Sequence, residues 1–219
     1  MGVAGGFGAG KSHFLGYLAE VARGQNFVVS HTVVSKETPL SDPARVFEAA
    51  VRQARLPDRH DDALTYCLGT LRESPDRADA LEQEIRDAGD RFAPIFSAIL
   101  FLVRRSATLP EVLRRCERFL GGGRLNASPF KVALSGAGAG RMFDLKLPPA
   151  AMLTEQRIEF VSRLFRAAGY AMGIDYLANR HLMIRGEYRY LRSPLAVFEK
   201  GPGRTNQSPT LLLTVSAFF

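Results

Sequence analysis

Apolar residues recur every three to four positions along most of the chain and every second position near its end. From Lys11 to Arg23, the residues Phe14, Leu15, Leu18, Val21 and Ala22 fall on one face of a predicted helix, and Gly24 supplies its stop. Phe27 to Val34 is apolar and rich in β-branched residues, which predicts a buried strand. Val3-Ala4 reads as the stub of an earlier strand, so the chain is expected to start inside its first element. Asp42 is placed to cap a helix with Pro43 at its first position and with Val46, Phe47, Ala50 and Val51 on its inner face. Strand, glycine-rich loop, helix, strand and helix in that order predict an α/β nucleotide-binding domain.

Every periodic segment between about Asp61 and Leu120 is helical: Ala78 to Ala88, the strongly apolar Phe92 to Arg104, and Leu109 to Leu120, which ends at Gly121-Gly122-Gly123. This stretch, about residues 60–120, is expected to be a helical insertion. Residues 121–153 are loop-rich, and Thr154 to Ala168 forms a further helix with Ile158, Val161, Leu164, Phe165 and Ala168 on one face. After Gly169 the period changes to two. Leu182, Ile184, Tyr188 and Tyr190 share one face of a strand, and Leu211, Leu213, Val215, Ala217 and Phe219 share one face of another. The expected fold is therefore α/β: a nucleotide-binding domain over 1–169 with a helical insertion, followed by a β-rich C-terminal tail over 170–219.

The site chemistry sits in Gly5-Gly6-Phe7-Gly8-Ala9-Gly10-Lys11-Ser12-His13. Successive backbone N–H groups can converge on an anion only where side chains leave room, which Gly5, Gly6, Gly8 and Gly10 provide. A helix starting near Lys11 aims its unpaired N–H groups at the same anion. Lys11 then reaches the β- and γ-phosphates of ATP, and the Ser12 hydroxyl takes one position on Mg2+. Hydrolysis also needs an acid at the end of a second buried strand. No apolar run ends in an acidic pair. Asp175, in Ala171-Met172-Gly173-Ile174-Asp175, is the only acid in the expected slot, and its run is short, interrupted by Gly173 and without a second acid. Asp144 in Met142-Phe143-Asp144 fits less well. Lys36 and Glu37 follow the second strand, at the edge where nucleotides sit in open α/β sheets. Gly136-Ala137-Gly138-Ala139-Gly140-Arg141 has a phosphate-loop composition, but no helical pattern follows it, so Arg141 reads as an exposed loop residue before it reads as an arginine finger.

Composition narrows the setting. With 46% hydrophobic and 23% charged residues the chain has the make-up of an ordinary globular protein. Its formal net charge of +7 makes DNA a candidate partner, although no run of five like charges forms a basic tail. Cys67 and Cys116 stand in helical patterns, outside any metal-ligand spacing, and read as buried thiols of a reducing compartment. No secretion signal and no apolar stretch of membrane-spanning length is legible, so a cytoplasmic protein is expected.

The run from Gly5 to Leu15, then Val28-Val29-Ser30, Val34-Ser35-Lys36-Glu37-Thr38-Pro39-Leu40, Asp42 to Phe47 and the region from Ala150 to Tyr170 resemble the P-loop ATP-binding proteins of BREX bacteriophage-exclusion systems. The resemblance covers about residues 1–170. It implies an AAA-like ATPase fold, a role in antiviral defence, other BREX components as partners, and room for self-association. In that family the helix ending in Ala-Gly-Tyr leads into an aliphatic strand with an Asp-Glu pair. Here Tyr170 leads into Ala171 to Tyr176, and the following residues, with Arg185 to Tyr190, are similar to the last hairpin of an outer-membrane β-barrel. The expected function is thus ATP binding with impaired hydrolysis. The alternatives are a non-catalytic scaffold module and a basic nucleic-acid-binding protein that ignores nucleotide.

Overall fold

Proline and short polar side chains set where the helices begin. Asp42 accepts the Arg45 N–H at 3.2 Å and opens α2 (Pro43–Arg52), as the sequence pattern predicts. Asp62 does the same for α3 (Ala63–Glu73), accepting the Thr65 N–H at 3.0 Å. Proline holds the first position of α4 (Pro75–Asp87), α5 (Pro94–Arg104) and α6 (Pro110–Leu120), where its missing N–H costs nothing. Asn126 caps α7 (Ala127–Gly136), and Pro149 precedes α8 (Ala150–Ala167). The remaining helix, α1 (Lys11–Gly24), ends at Gly24 as the sequence predicts, and Asn26 at φ 65° then turns the chain, with the Phe27 N–H reaching back to the Ala22 carbonyl at 3.1 Å. Asparagine tolerates that left-handed conformation.

The computed structural model describes residues 11–33, 35–39, 41–57, 59, 62–105, 109–170, 172–179, 182–192, 198–200, 203–205 and 207–217, with backbone alone for 11, 12, 14, 15 and everything from 172 onward. The chain divides into two compact units. One comprises Met1–Val29, Leu56–Asp58 and Gly169–Phe219; the other comprises Ser30–Arg55 and Arg59–Ala168.

The second unit is an all-helical body built around α5, the most apolar helix. Ile95, Phe96, Ala98, Ile99 and Leu100 are fully buried, and Leu102 and Val103 nearly so. Phe96 stacks against Phe92, Phe119 and Phe160 with ring centroids 5.5, 6.0 and 5.1 Å apart, joining α5, α6 and α8 through one aromatic cluster. Arginines fasten the rim. Arg104 of α5 pairs with Asp79 and Glu82 of α4, and Arg166 of α8 pairs with Glu84. Gln156, itself buried, accepts the Ala93 N–H at 3.2 Å and so satisfies the backbone just before α5.

In the first unit, the Asn26 side-chain amide donates to the Gly169 carbonyl at 2.7 Å. Its later part holds β1 (Met172–Asn179), β2 (Leu182–Arg192) and β5 (Gln207–Ala217) as an antiparallel ladder in the order β1-β2-β5, and β3 (Phe198–Lys200) pairs with β4 (Gly203–Thr205).

The expectation of an α/β protein, a truncated AAA-like P-loop NTPase domain with a helical insertion and a β-rich tail, does not hold as an α/β domain: the described strands are confined to the antiparallel pairings after Gly169. Eight α-helices carry the described residues from Lys11 to Ala167, with no parallel sheet among them. The segments around 60–120 are not inserted into a sheet; with α2, α7 and α8 they make the helical body itself. Phe27 and Val29 form isolated bridges in place of the expected strand, and Val33 is 68% exposed. The physical reason is partnership: a buried strand needs neighbours to pair with, and every long segment from 43 to 167 has helical periodicity.

Phe160→Ala removes the ring that links α5 to α8, and is expected to destabilise the protein by about 3–5 kcal/mol in urea unfolding. Cys67 and Cys116 are fully buried and their thiols are pushed up to about 12 by burial, so neither should react with a thiol reagent at pH 8 until the helical body opens. Rapid labelling of the folded protein would contradict this packing.

Candidate functional site

The helix expected to follow the glycine-rich loop begins at Lys11. Lys11 and Ser12 are the first two residues of α1, and no acidic residue occupies its first turn. The first turn of a helix has N–H groups without intrahelical partners, and the absence of a carboxylate there leaves their field open to an anion. His13, the next residue, is exposed. Gly5, Gly6, Phe7, Gly8, Ala9 and Gly10 lie outside the described residues, as do the side chains of Lys11 and Ser12. Asp175 lies on β1 opposite Arg185 of β2 in antiparallel register. Among the described residues no group of three or more His, Cys, Asp or Glu is placed to hold a metal ion.

Lys36 and Glu37 are exposed on a turn that is internally tied. The Ser35 hydroxyl donates to Glu37 at 2.6 Å and accepts the Glu37 N–H at 3.1 Å, which holds the Glu37 carboxyl below its usual range. Arg45 reaches from α2 to the Glu37 carbonyl at 3.4 Å. The Gly136–Arg141 segment is a turn after α7, with Gly138 at φ 75° and Arg141 exposed, and no helix follows it directly.

Residues 2–80 match the family model described as BREX system ATP-binding protein BrxC/D. No curated protein and no solved structure matches the chain. The matched stretch contains the glycine-rich loop, α1, the Ser35–Glu37 turn, α2 and α3, together with the start of α4. Among the described residues no helix is long and apolar enough to cross a membrane.

The helical body also holds a polar site that the sequence reading did not single out. A cleft of about 350 Å3 is lined by Glu48, Asp62, Glu117, Arg52, Arg114 and Arg118, among others. Beside it, the Arg157 guanidinium of α8 is buried at 7% exposure, donates to the Gly122 and Gly123 carbonyls at 3.2 and 2.6 Å, and lies 4.3 Å above the Phe119 ring. Its Nε is buried with no partner among the described residues. Burial lowers the Arg157 pKa, and nearby Glu48 opposes that shift. Gly122 sits at φ 105°, and a Cβ there would stand 2.9 Å from the Glu48 Cβ. The signal in the sequence was helical spacing. Arg157 is four residues before Val161 and seven before Leu164, so it lies on the buried stripe of its helix.

Glu117 is half-buried in the same cleft. Burial raises its pKa above the ordinary 4.5; a Thr65 hydrogen bond opposes this, and the Asp62 charge adds to it. A carboxyl whose folded pKa is raised binds its proton more tightly in the folded state. The stability this gives is present below the unfolded pKa and is lost as pH rises through the folded one. Glu117→Gln keeps an acceptor for Thr65 and is always neutral, so its stability relative to wild type is expected to increase from pH 4 to pH 7. Parallel urea midpoints at the two pH values check this; a difference that does not change with pH would contradict it. Arg157→Met leaves two half-buried carbonyls without this donor and is expected to cost on the order of 2 kcal/mol, read in the same titrations.

Proposed function

We propose that this chain is an ATP-binding component of a BREX-type antiphage system, and that it binds the nucleotide without turning it over by itself. The observation that carries this reading is the meeting of a complete G-x-x-x-x-G-K-S motif with a helix whose first residue is the motif lysine. The family match over residues 2–80 supports it from an independent direction. In this reading the backbone of Gly5 to Gly10 cradles the phosphates, Lys11 compensates their charge, Ser12 ligates Mg2+, and His13 flanks the site. Bound Mg2+ would neutralise the β- and γ-phosphate oxygens and hold them in one geometry. The nucleotide module lies within residues 1–169, other BREX components are its partners, and the compartment is the cytoplasm.

Binding without turnover follows from the acid inventory. A hydrolase needs a carboxylate to complete the magnesium shell and position water, and no aliphatic run in this chain ends in an acidic pair. Of the acids after the last helix, Asp175 is the one in the expected slot.

Lys11→Ala is expected to weaken Mg-ATP binding by roughly 2–4 kcal/mol in calorimetry, the scale for loss of a charge-assisted contact to phosphate. Equal affinity of wild type and variant would overturn the nucleotide site. Phosphate release by the isolated chain is expected to stay below about 0.01 per second. Lys11-dependent turnover above that rate would overturn the non-hydrolytic reading, and its loss in Asp175→Asn would then identify Asp175 as the missing acid.

A further inference from the structure

Three arginines converge on one small pocket of the helical body. Arg115 and Arg118 are three residues apart on α6 and therefore share a face. Arg124 is brought back beside them by the reversal at Gly121–Gly123, where the Gly123 N–H bonds the Arg118 carbonyl at 2.8 Å. A Cβ at Gly123 would lie 2.7 Å from the Arg118 Cγ, so the missing side chain there leaves room for the arginine stem. Together with Asn126 and Phe130, the three arginines line a pocket of about 180 Å3 with no carboxylate in its wall. Arg115 pairs with Glu111 at 3.1 Å, while Arg118 and Arg124 make no ion pair among the described residues. Elsewhere in this body most arginines are committed to carboxylates, carbonyls or aromatic rings.

Like charges gathered around one pocket repel each other, a cost that an anion in the pocket would reverse. The N-terminus of the ten-residue α7 opens at the same place, with Asn126 as its cap, and adds a positive dipole end. The nearly buried Phe130 ring forms an apolar wall that weakens solvent screening.

We propose that this pocket takes a phosphate group of a nucleic-acid backbone, at a site separate from the Lys11 loop. A tetrahedral phosphodiester offers oxygens in several directions and can accept guanidinium forks from more than one arginine, whereas a planar carboxylate is filled by one. The volume suits a phosphate group alone. At about 180 Å3 the pocket lies below the range of sites that enclose a whole small ligand, about 300–1,000 Å3, so the rest of the ligand would lie outside it, as a strand passing across its mouth does. The overall charge of +7 favours such a strand at longer range.

The test is fluorescence anisotropy of a short fluorescein-labelled oligonucleotide of mixed sequence with the full chain and no nucleotide, repeated between about 50 and 200 mM salt. Because ATP is absent, failure of the Lys11 site would leave this result untouched. Arg118→Gln/Arg124→Gln is expected to weaken binding at least about tenfold and to lower the slope of log K against log salt by about 2, one per phosphate-contacting cation. Arg105→Gln/Lys146→Gln, which removes the same charge from exposed positions elsewhere, should stay within about twofold of wild type. Arg118→Lys/Arg124→Lys should restore the salt slope while remaining weaker, since the charge returns without the fork. Equal losses in the two glutamine pairs would reduce the effect to net charge and overturn the pocket. So would an unchanged Arg118/Arg124 variant, no binding at low salt, or competition by polyglutamate as strong as by unlabelled DNA.

Discussion

The grip of Arg157 on two backbone carbonyls determines how the helical body closes. Where α6 ends, the N–H groups of Gly121, Gly122 and Gly123 answer the Glu117, Phe119 and Arg118 carbonyls, and the half-buried turn leaves the Gly122 and Gly123 oxygens to be answered in their turn. The Arg157 guanidinium answers the Gly122 and Gly123 oxygens while its face covers Phe119, a member of the aromatic cluster that joins α5, α6 and α8. Polar satisfaction and core packing thus meet in one side chain. The same closure puts Gly122 against Glu48 of α2 and returns Arg124 to the side of Arg118. The cleft at Glu117 and the arginine pocket both line the reversal that this contact stabilises.

Around that node, charge is distributed by function. Arginines of α5 and α8 face carboxylates of α4 and work as fasteners. Arg77 and Arg163 donate to the Ala168 and Glu84 carbonyls and act as caps. Arg118 and Arg124 do neither. A chain rich in arginine can therefore spend most of that charge inside its own fold and still present a localised anion site. Net charge alone would not have located it.

Sequence reading located most helices because their signals are local. Asp42-Pro43 fixed the start of α2, the apolar period fixed α5, and the triple glycine fixed the end of α6. It failed where the decision was not local. Phe27 to Val34 has the composition of a strand, yet strands form by pairing, and the chain between α2 and α8 provides helices instead. The glycine-rich loop lies outside the described residues, so its expected phosphate chemistry rests on its spacing, while residues 2–80 match the family model that the resemblance pointed to. Arg157 was missed for the opposite reason. A charged residue on an apolar stripe was passed over in favour of the aliphatic positions around it, although its spacing from Val161 and Leu164 marked it as buried.

The partner that Arg157 holds also limits how mutation can undo the body. A main-chain carbonyl remains whatever side chain its residue carries, so the clasp between α6 and α8 has one end, Arg157, that a side-chain change can delete. The links from α4 to Arg104 and Arg166 run through Asp79, Glu82 and Glu84 and can be lost from either end. The seam between α6 and α8 therefore offers half the targets to substitution that an ion pair does.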